Sequence, residues 1–562
     1  MMDLRPLLAI LVSAVAIPLI LALRSRPNVR EGVTLVVALA KFAIVASLVP
    51  GVLAGTEYTF SFGSFAAGIE FAFRADALGV LFASLASLLW IVTSLYSIGY
   101  MRGLDQHAQT RYFASFAASL AAVMGVAFAE NLLTLFVFYE LLTVATYPLV
   151  THDETDEARA AGRKYLAYTF GGGVAVLGGT ALVFWLTGTT TFAHGGIEGL
   201  AGADALWART AFVLLAGGFG VKAALMPAHS WLPDAMVAPT PVSGLLHAVA
   251  VVKSGIFGVA RVVLDVFGTD LLSASELGMA LPLAAVAAFT LLTASVIALR
   301  QDNLKRRLAF STISQLSYIV LGLALLEGNA LIGGLLHIPA HAFMKLTLFF
   351  CAGAIHVETH TDDISDMAGI GRRMPLTMVA FGVAAAGMAG IPLVAGFVSK
   401  WYLVIGALEG GGLVFAAALL VSGVLNIAYF WPIVYQAFFE SPEDHDEKPL
   451  VMEALGGRLG STESSTRADG GTTPTDSEVS DSPDPEDVDH LGKFHEDHEH
   501  HGGPPEGGWD RRDWFGGEST WFMLGPICAA ATGSLLLGIV PAGAVFLRIV
   551  RAVVEALPGV VV

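Results

Sequence analysis

The sequence predicts an all-α polytopic membrane protein, and three observations carry that prediction. Of 562 residues 55% are hydrophobic, and the mean hydropathy is +0.68. Only 14% are charged, against about 25% in ordinary soluble domains. Apolar runs long enough to span a bilayer, about 20 residues each, recur almost throughout. A soluble chain this apolar has too little polar surface to face water.

The runs lie near 6–23, 33–53, 74–100, 111–129, 131–150, 165–187, 210–227, 242–264, 276–299, 309–326, 332–354, 375–403, 411–438 and 520–547, about fourteen predicted helices. The first, bracketed by Arg5 and Arg24, has no small-residue cleavage pattern and reads as a membrane helix rather than a signal peptide. Only Glu130 and Asn131 separate the fourth from the fifth. Basic residues cluster in alternate loops: Arg24, Arg26 and Arg30; Arg102 and Arg111; Arg159, Arg163 and Lys164; Arg300 with Lys305, Arg306 and Arg307; Arg372 and Arg373. The positive-inside rule puts those loops in the cytoplasm and both termini outside. The expected location is the cell membrane.

Residues 440–518 differ from the rest. They hold 22 Asp/Glu and 6 Lys/Arg and are rich in Ser, Thr, Gly and Pro. Such a segment buries too little apolar surface to fold, and is expected to be a disordered loop on the inside. Its "HEDHEHH" run, with His495, His498, His500 and His501, reads as a solvated acidic tract rather than a metal site, because it offers no fixed geometry. The two cysteines, Cys351 and Cys528, lie in apolar stretches. That excludes a disulfide framework and any CxxC metal or iron–sulfur site. No cofactor or metal site and no nucleic-acid partner is expected.

Lysine carries the functional signal. Five of nine lysines lie inside predicted spans: Lys41, Lys222, Lys253, Lys345 and Lys400. The 22 arginines lie almost entirely in loops or at helix ends. Arginine effectively never deprotonates, whereas a desolvated lysine can. A charge at the bilayer centre costs about 2.5–3.5 kcal/mol even on the gentler scale. Lys222, Lys253, Lys345 and Lys400 therefore read as proton-exchange sites, and Lys41 as a structural residue. Glu140 sits mid-span in "NLLTLFVFYELLTVATYPLV". A nearby lysine would hold it ionised, and separating the pair would release a proton. His247 shares a span with Lys253; His337 and His341 lie eight and four residues before Lys345, on one helix face. "FSTISQLSYIV" adds hydroxyls and Gln315. Two lysine helices look broken: Lys222 is followed by prolines 227, 233, 239 and 241, and Lys400 is preceded by Pro392 with glycines 390 and 396. Breaks of this kind are tolerated where helices line a wet cavity.

"GFGVKAALMPAHSWLPDAMVAPTPVSGLLHAVAVVKSGIFGVAR", "DNLKRRLAFSTISQLSYIVLG", "HIPAHAFMKLTLFFCAGAI" and "AGIPLVAGFVSKWYL" resemble the antiporter-like proton-translocating subunits of NADH–quinone oxidoreductase, membrane-bound hydrogenases and Mrp-type sodium/proton antiporters. The resemblance covers roughly residues 70–440. It implies two inverted five-helix repeats, helices 4–8 and 9–13, with helices 7 and 12 broken. The chain then divides into 1–110, the repeats 111–265 and 266–439, the acidic loop 440–518 and a last helix within 519–562. Glu140 resembles the family's fifth-helix glutamate and Lys222 its partner. Lys253 and His247 resemble the eighth-helix relay, Lys345 with His337 and His341 the central lysine, and Lys400 the terminal site. Lysine at 400 looks most like the MrpD type of antiporter subunit. The implied function is proton translocation in a multi-subunit sodium/proton antiporter, with other membrane subunits, protons and Na+ as partners. The alternative is the pumping, non-redox subunit of an NADH–quinone oxidoreductase or hydrogenase.

Overall fold

The structure, a computed structural model, describes residues 1–66, 69–273, 275–441, 503–505, 508–510, 517–541, 543 and 545–560. Most of the acidic segment, including its histidine run, lies outside the described residues. The principal helices are α1 (Arg5–Ala22), α2 (Pro27–Ala46), α3 (Ala77–Gly103), α4 (Gln109–Phe128), α5 (Leu132–Val150), α6 (Asp156–Thr187), α7 (Ala205–Lys222) and α8 (Val251–Arg261). They continue as α9 (Ala280–Leu299), α10 (Leu304–Ala324), α11 (Gly328–Thr359), α12 (Pro375–Ala389), α13 (Ala395–Glu409), α14 (Leu413–Phe439), α15 (Trp521–Ile539) and α16 (Val545–Glu555).

Among the described residues eleven helices are long and apolar enough to cross a membrane. The lysine-bearing segments around residues 222, 253 and 400 are not in that set, and each is interrupted. α7 stops at Lys222. α8 is approached through Thr240–Gly244 and a π-helical stretch, Leu245–Val249, and leaves through a second, Val262–Phe267. The predicted twelfth span is two helices, α12 and α13. Gly390 closes α12 at φ +89, and Leu393 follows at φ +76. α11 is the axis of the second half: it is buried along nearly its whole length and packs on α10, α12, α13 and α15.

A β-hairpin adds to the helices. β1 (Tyr58–Ala66) pairs antiparallel with β2 (Ile69–Ala75), setting Tyr58 opposite Ala75 and Phe60 opposite Phe73. Its alternating phenylalanines do not stand out in a chain this apolar, so no strand is predicted there from the sequence. Phe73 and Phe71 lie 5.6 and 6.0 Å, ring to ring, from Phe138 on α5.

At this hairpin end sits the arginine that the lysine rule overlooks. Arg261 is fully buried. Its Nη1 donates to Asp76 Oδ2 at 2.5 Å and Asp265 Oδ2 at 2.7 Å, and Nη2 donates to Asp76 Oδ1 at 2.8 Å. Two carboxylates bracket the guanidinium, so its charge is tolerable there. Asp76 also accepts from Gly79 N and caps α3. His194 extends the chain, with Nε2 2.8 Å from Glu57 Oε1 and Nδ1 3.7 Å from Asp265 Oδ1.

The carboxylates of Asp265 and Glu57 raise the His194 imidazole to about 10, and His194 lowers Glu57. A raised histidine contributes stability fully below its free value of about 6.5 and loses it as pH rises through about 10. Glu57 contributes above its free value of 4.5 and loses that contribution as pH falls through its lowered one. The melting-temperature gap between wild type and H194A is therefore expected to be widest between pH 4.5 and 6.5 and to close above pH 10. A gap that does not change with pH contradicts this bridge.

Candidate functional site

α7 ends at Lys222 because the chain then turns away: Ala224 takes φ +55, and prolines follow at 227 and 233. The Trp231 indole donates to Val221 O at 2.8 Å, satisfying one of the carbonyls that the break frees. Glycines let the neighbouring helices close on this point. A Cβ at Gly255 would stand 2.4 Å from Ala223 N, and one at Gly172 would stand 2.8 Å from Gly218 O. α6 and α8 can therefore press their backbones against α7.

The Lys222 ammonium donates to Tyr139 O at 2.5 Å and stands 3.3 Å from the Tyr139 ring centroid. It makes no ion pair with Glu140, the next residue on α5. The Glu140 carboxylate oxygens are buried and have no protein hydrogen-bond partner. The expected pair is thus adjacent but open in this state. Glu140 occupies space that Gly173 of α6 leaves free, since a Cβ at 173 would stand 2.2 Å from Oε1.

The other lysines follow one pattern. Lys345 donates to Leu308 O at 2.8 Å and also to Ser311 Oγ, with the Phe430 ring 5.6 Å away. Lys400 reaches back across the α12–α13 break to Met388 O and lies 4.7 Å from the Tyr318 ring. Lys41 donates to Leu120 O at 2.8 Å, with Trp90 at 4.6 Å. In each case the ammonium is held by a main-chain carbonyl and an aromatic face. Of the five lysines in predicted spans, Lys253 alone hydrogen-bonds a titratable side chain, His341 Nδ1, at 2.9 Å.

His341 and His337 are one turn apart on α11, rings 6.0 Å from centre to centre. His337 Nδ1 lies 2.8 Å from Ser399 Oγ, and Ser399 is the neighbour of Lys400. His337 Nε2 lies 2.9 Å from Gln315 Oε1. The tautomer follows from the far end of this chain. Asn426 Nδ2 donates to Ser422 O at 2.6 Å, so Asn426 Oδ1 faces Gln315 and accepts from its Nε2 at 3.1 Å. Gln315 therefore presents its oxygen to His337, Nε2 carries the hydrogen, and in the neutral ring Nδ1 is the acceptor. A proton arriving at Nδ1 reverses the Ser399 hydroxyl, which has Gly396 O at 3.2 Å as its other acceptor.

The contacts thus run Lys253–His341, then His337–Ser399 beside Lys400. Lys345 turns aside toward α10, and His247 lies in the π stretch 4.8 Å from the Phe349 ring, with both nitrogens unpartnered. His341 Nε2 is also unpartnered. Sequence reasoning missed Ser399, Asn426 and Gly173. The first two left a signal: a serine next to Lys400, and a lone Asn in an apolar run four residues after Ser422.

Residues 129–426 match the family described as NADH:quinone oxidoreductase/Mrp antiporter, TM. The chain is 34% identical over 460 residues to NADH-quinone oxidoreductase subunit N of Desulforudis audaxviator, covering 79% of this chain and 90% of that one. It is 34% identical over 421 residues to a Na(+)/H(+) antiporter subunit of Alkalihalophilus pseudofirmus, covering 70% of this chain and 51% of that one. It thus spans about half of this antiporter relative. In fold it is similar to a chain of the Mrp complex from Dietzia sp. DQ12-45-1b, with a TM-score of 0.76 at 24% identity, covering 98% of this chain and 97% of that one.

Gly173 provides a test of the Glu140 position that leaves both titrating groups intact. G173A is expected to push the carboxylate aside and to lower ion transport, by up to about a hundredfold if the shift approaches 1 Å. G171A, where a Cβ meets nothing within 4 Å, is the control and is expected to transport normally. Equal rates for the two variants contradict the placement.

Proposed function

The chain belongs to the NADH:quinone oxidoreductase/Mrp antiporter membrane family, and from that premise we propose that it is the proton-translocating subunit of a multi-subunit monovalent cation/proton antiporter. It is a multi-pass membrane protein that works with other membrane subunits, in the cell membrane. The observation that carries the reading is a set of buried exchangeable groups with two direct contacts, Lys253–His341 and His337–Ser399, and with Lys222 and Lys400 each beside a helix break.

The mechanism uses these residues in order. With Glu140 and Lys222 apart, neither buried group has its ion-pair partner. Closing the pair charges both, since each then stabilises the other. The altered field moves the proton of Lys253 to His341 Nδ1 across their 2.9 Å contact. Passage to His337 Nδ1 reverses the Ser399 hydroxyl and delivers charge beside Lys400. Lys345, donating to Ser311 of α10, forms a branch toward the arginine-rich end, the cytoplasmic side in this reading. Residues 111–265 and 266–439 act as the two repeats, each with one break. Sodium is the counter-ion proposed, because the antiporter relative carries that ion in its name.

A second reading is favoured by the near-complete coverage of an oxidoreductase subunit. There the same row is driven by electron transfer in other subunits. The complex reconstituted in vesicles separates the readings. Sodium- or potassium-dependent proton movement without an electron donor supports antiport, whereas movement that requires a donor and quinone supports the second. Under either reading E140A or K222A is expected to cut proton translocation at least about a hundredfold, the scale of a positioned proton donor. Undiminished rates overturn the shared mechanism.

A further inference from the structure

Glu518 closes the segment that the sequence assigns to the acidic loop, yet the structure buries it completely. Its Oε2 accepts from Leu376 N at 2.9 Å, and its Oε1 accepts from Thr377 N and Thr377 Oγ1, both at 2.9 Å. These amides are the first free donors of α12. The residue before that helix, Met374, has no side-chain acceptor, and Pro375 has no N–H. A carboxylate from 141 residues away along the chain therefore does the work that a local serine or aspartate usually does.

The other end of α12 receives Lys400 at Met388 O. The helix has 15 residues, about 22 Å of rigid rod. Its positive dipole end faces a buried anion and its negative end faces the lysine ammonium, each the favourable sign. We propose that Glu518 is a positioning residue for Lys400, acting through α12, which it caps at one end and whose other end holds the lysine. Loss of the cap frees the first turn and lets α12 shift along its axis, which moves the Met388 carbonyl away from the ammonium. Arg373 is a charged group at the cap: its Nη1 donates to Glu518 O at 3.4 Å, and its Nη2 lies 3.7 Å from Glu358 Oε2. Cys351 of α11 donates to Thr377 O at 3.2 Å. Facing Lys400 are the Tyr318 ring and the His337 imidazole, which contacts the adjacent Ser399.

The inference rests on Lys400 being a proton site, and the test keeps the two separable. Wild type, E518A, E518Q, K400M and the E518A/K400M double variant are compared in the reconstituted complex, with rates per folded molecule across pH. E518A is expected to lower the rate about fivefold, the scale of a lost helix cap, and to displace the half-maximal pH by about one unit. E518Q, which keeps the shape and one acceptor oxygen, is expected to lie between E518A and wild type, and it carries the test if E518A does not fold. On the K400M background the cap loss is expected to add nothing. A wild-type pH profile for both Glu518 variants, or losses that multiply in the double variant, overturns the positioning role. A wild-type rate for K400M overturns instead the reading of Lys400 on which it rests.

Discussion

A buried ammonium must be held by something, and in this protein it is held by carbonyl oxygens that the helices leave accessible. Lys41, Lys222, Lys345 and Lys400 each donate to one main-chain oxygen and lie near an aromatic ring. Such a partner accepts a hydrogen bond but cannot take the proton. It lowers the cost of the charged form without fixing it, as a carboxylate would. Arg261 shows the opposite solution: clamped between Asp76 and Asp265, it is a permanent charge that ties the hairpin end of the bundle together.

The architecture follows from that requirement. Helices are interrupted after Lys222, around His247, and between α12 and α13 before Lys400, and the last of these breaks supplies the carbonyl, Met388 O, that holds its lysine. Glycines at 172, 218 and 255 let the backbones of α6, α7 and α8 close on one another beside the first interruption, and Gly173 leaves room for the Glu140 carboxylate. Lys253 differs from the rest in facing an imidazole, so it is the point where a proton can leave a lysine for another side chain.

Much of this was legible in the sequence, and the reasons are physical. Membrane spans are long and apolar, so they stand out. Lysines in apolar runs cost too much to be incidental, and prolines mark where backbone bonds are lost. What remained hidden depends on neighbours distant in the chain. Glu140 and Lys222 are near one another, but Lys222 turns to the carbonyl of the preceding residue, a choice of rotamer that no spacing reveals. Lys345 sits one turn from His341, as the pattern implies, yet points to α10. Ser399 and Asn426 gain meaning only when His337 is placed between them. The hairpin's alternation was lost in an apolar background. Glu518 was hidden by its company, since 21 other acidic residues in 440–518 make it look like one more solvated charge.

The central claim is that the buried lysines exchange protons rather than merely carry charge. Arginine in place of Lys253 tests it most directly, because it keeps the positive charge and hydrogen-bonding capacity while removing the ability to release a proton. In the reconstituted complex, K253R is expected to fold normally and to translocate protons about a hundredfold more slowly, on the scale of a lost proton donor. Translocation at the wild-type rate would contradict the account.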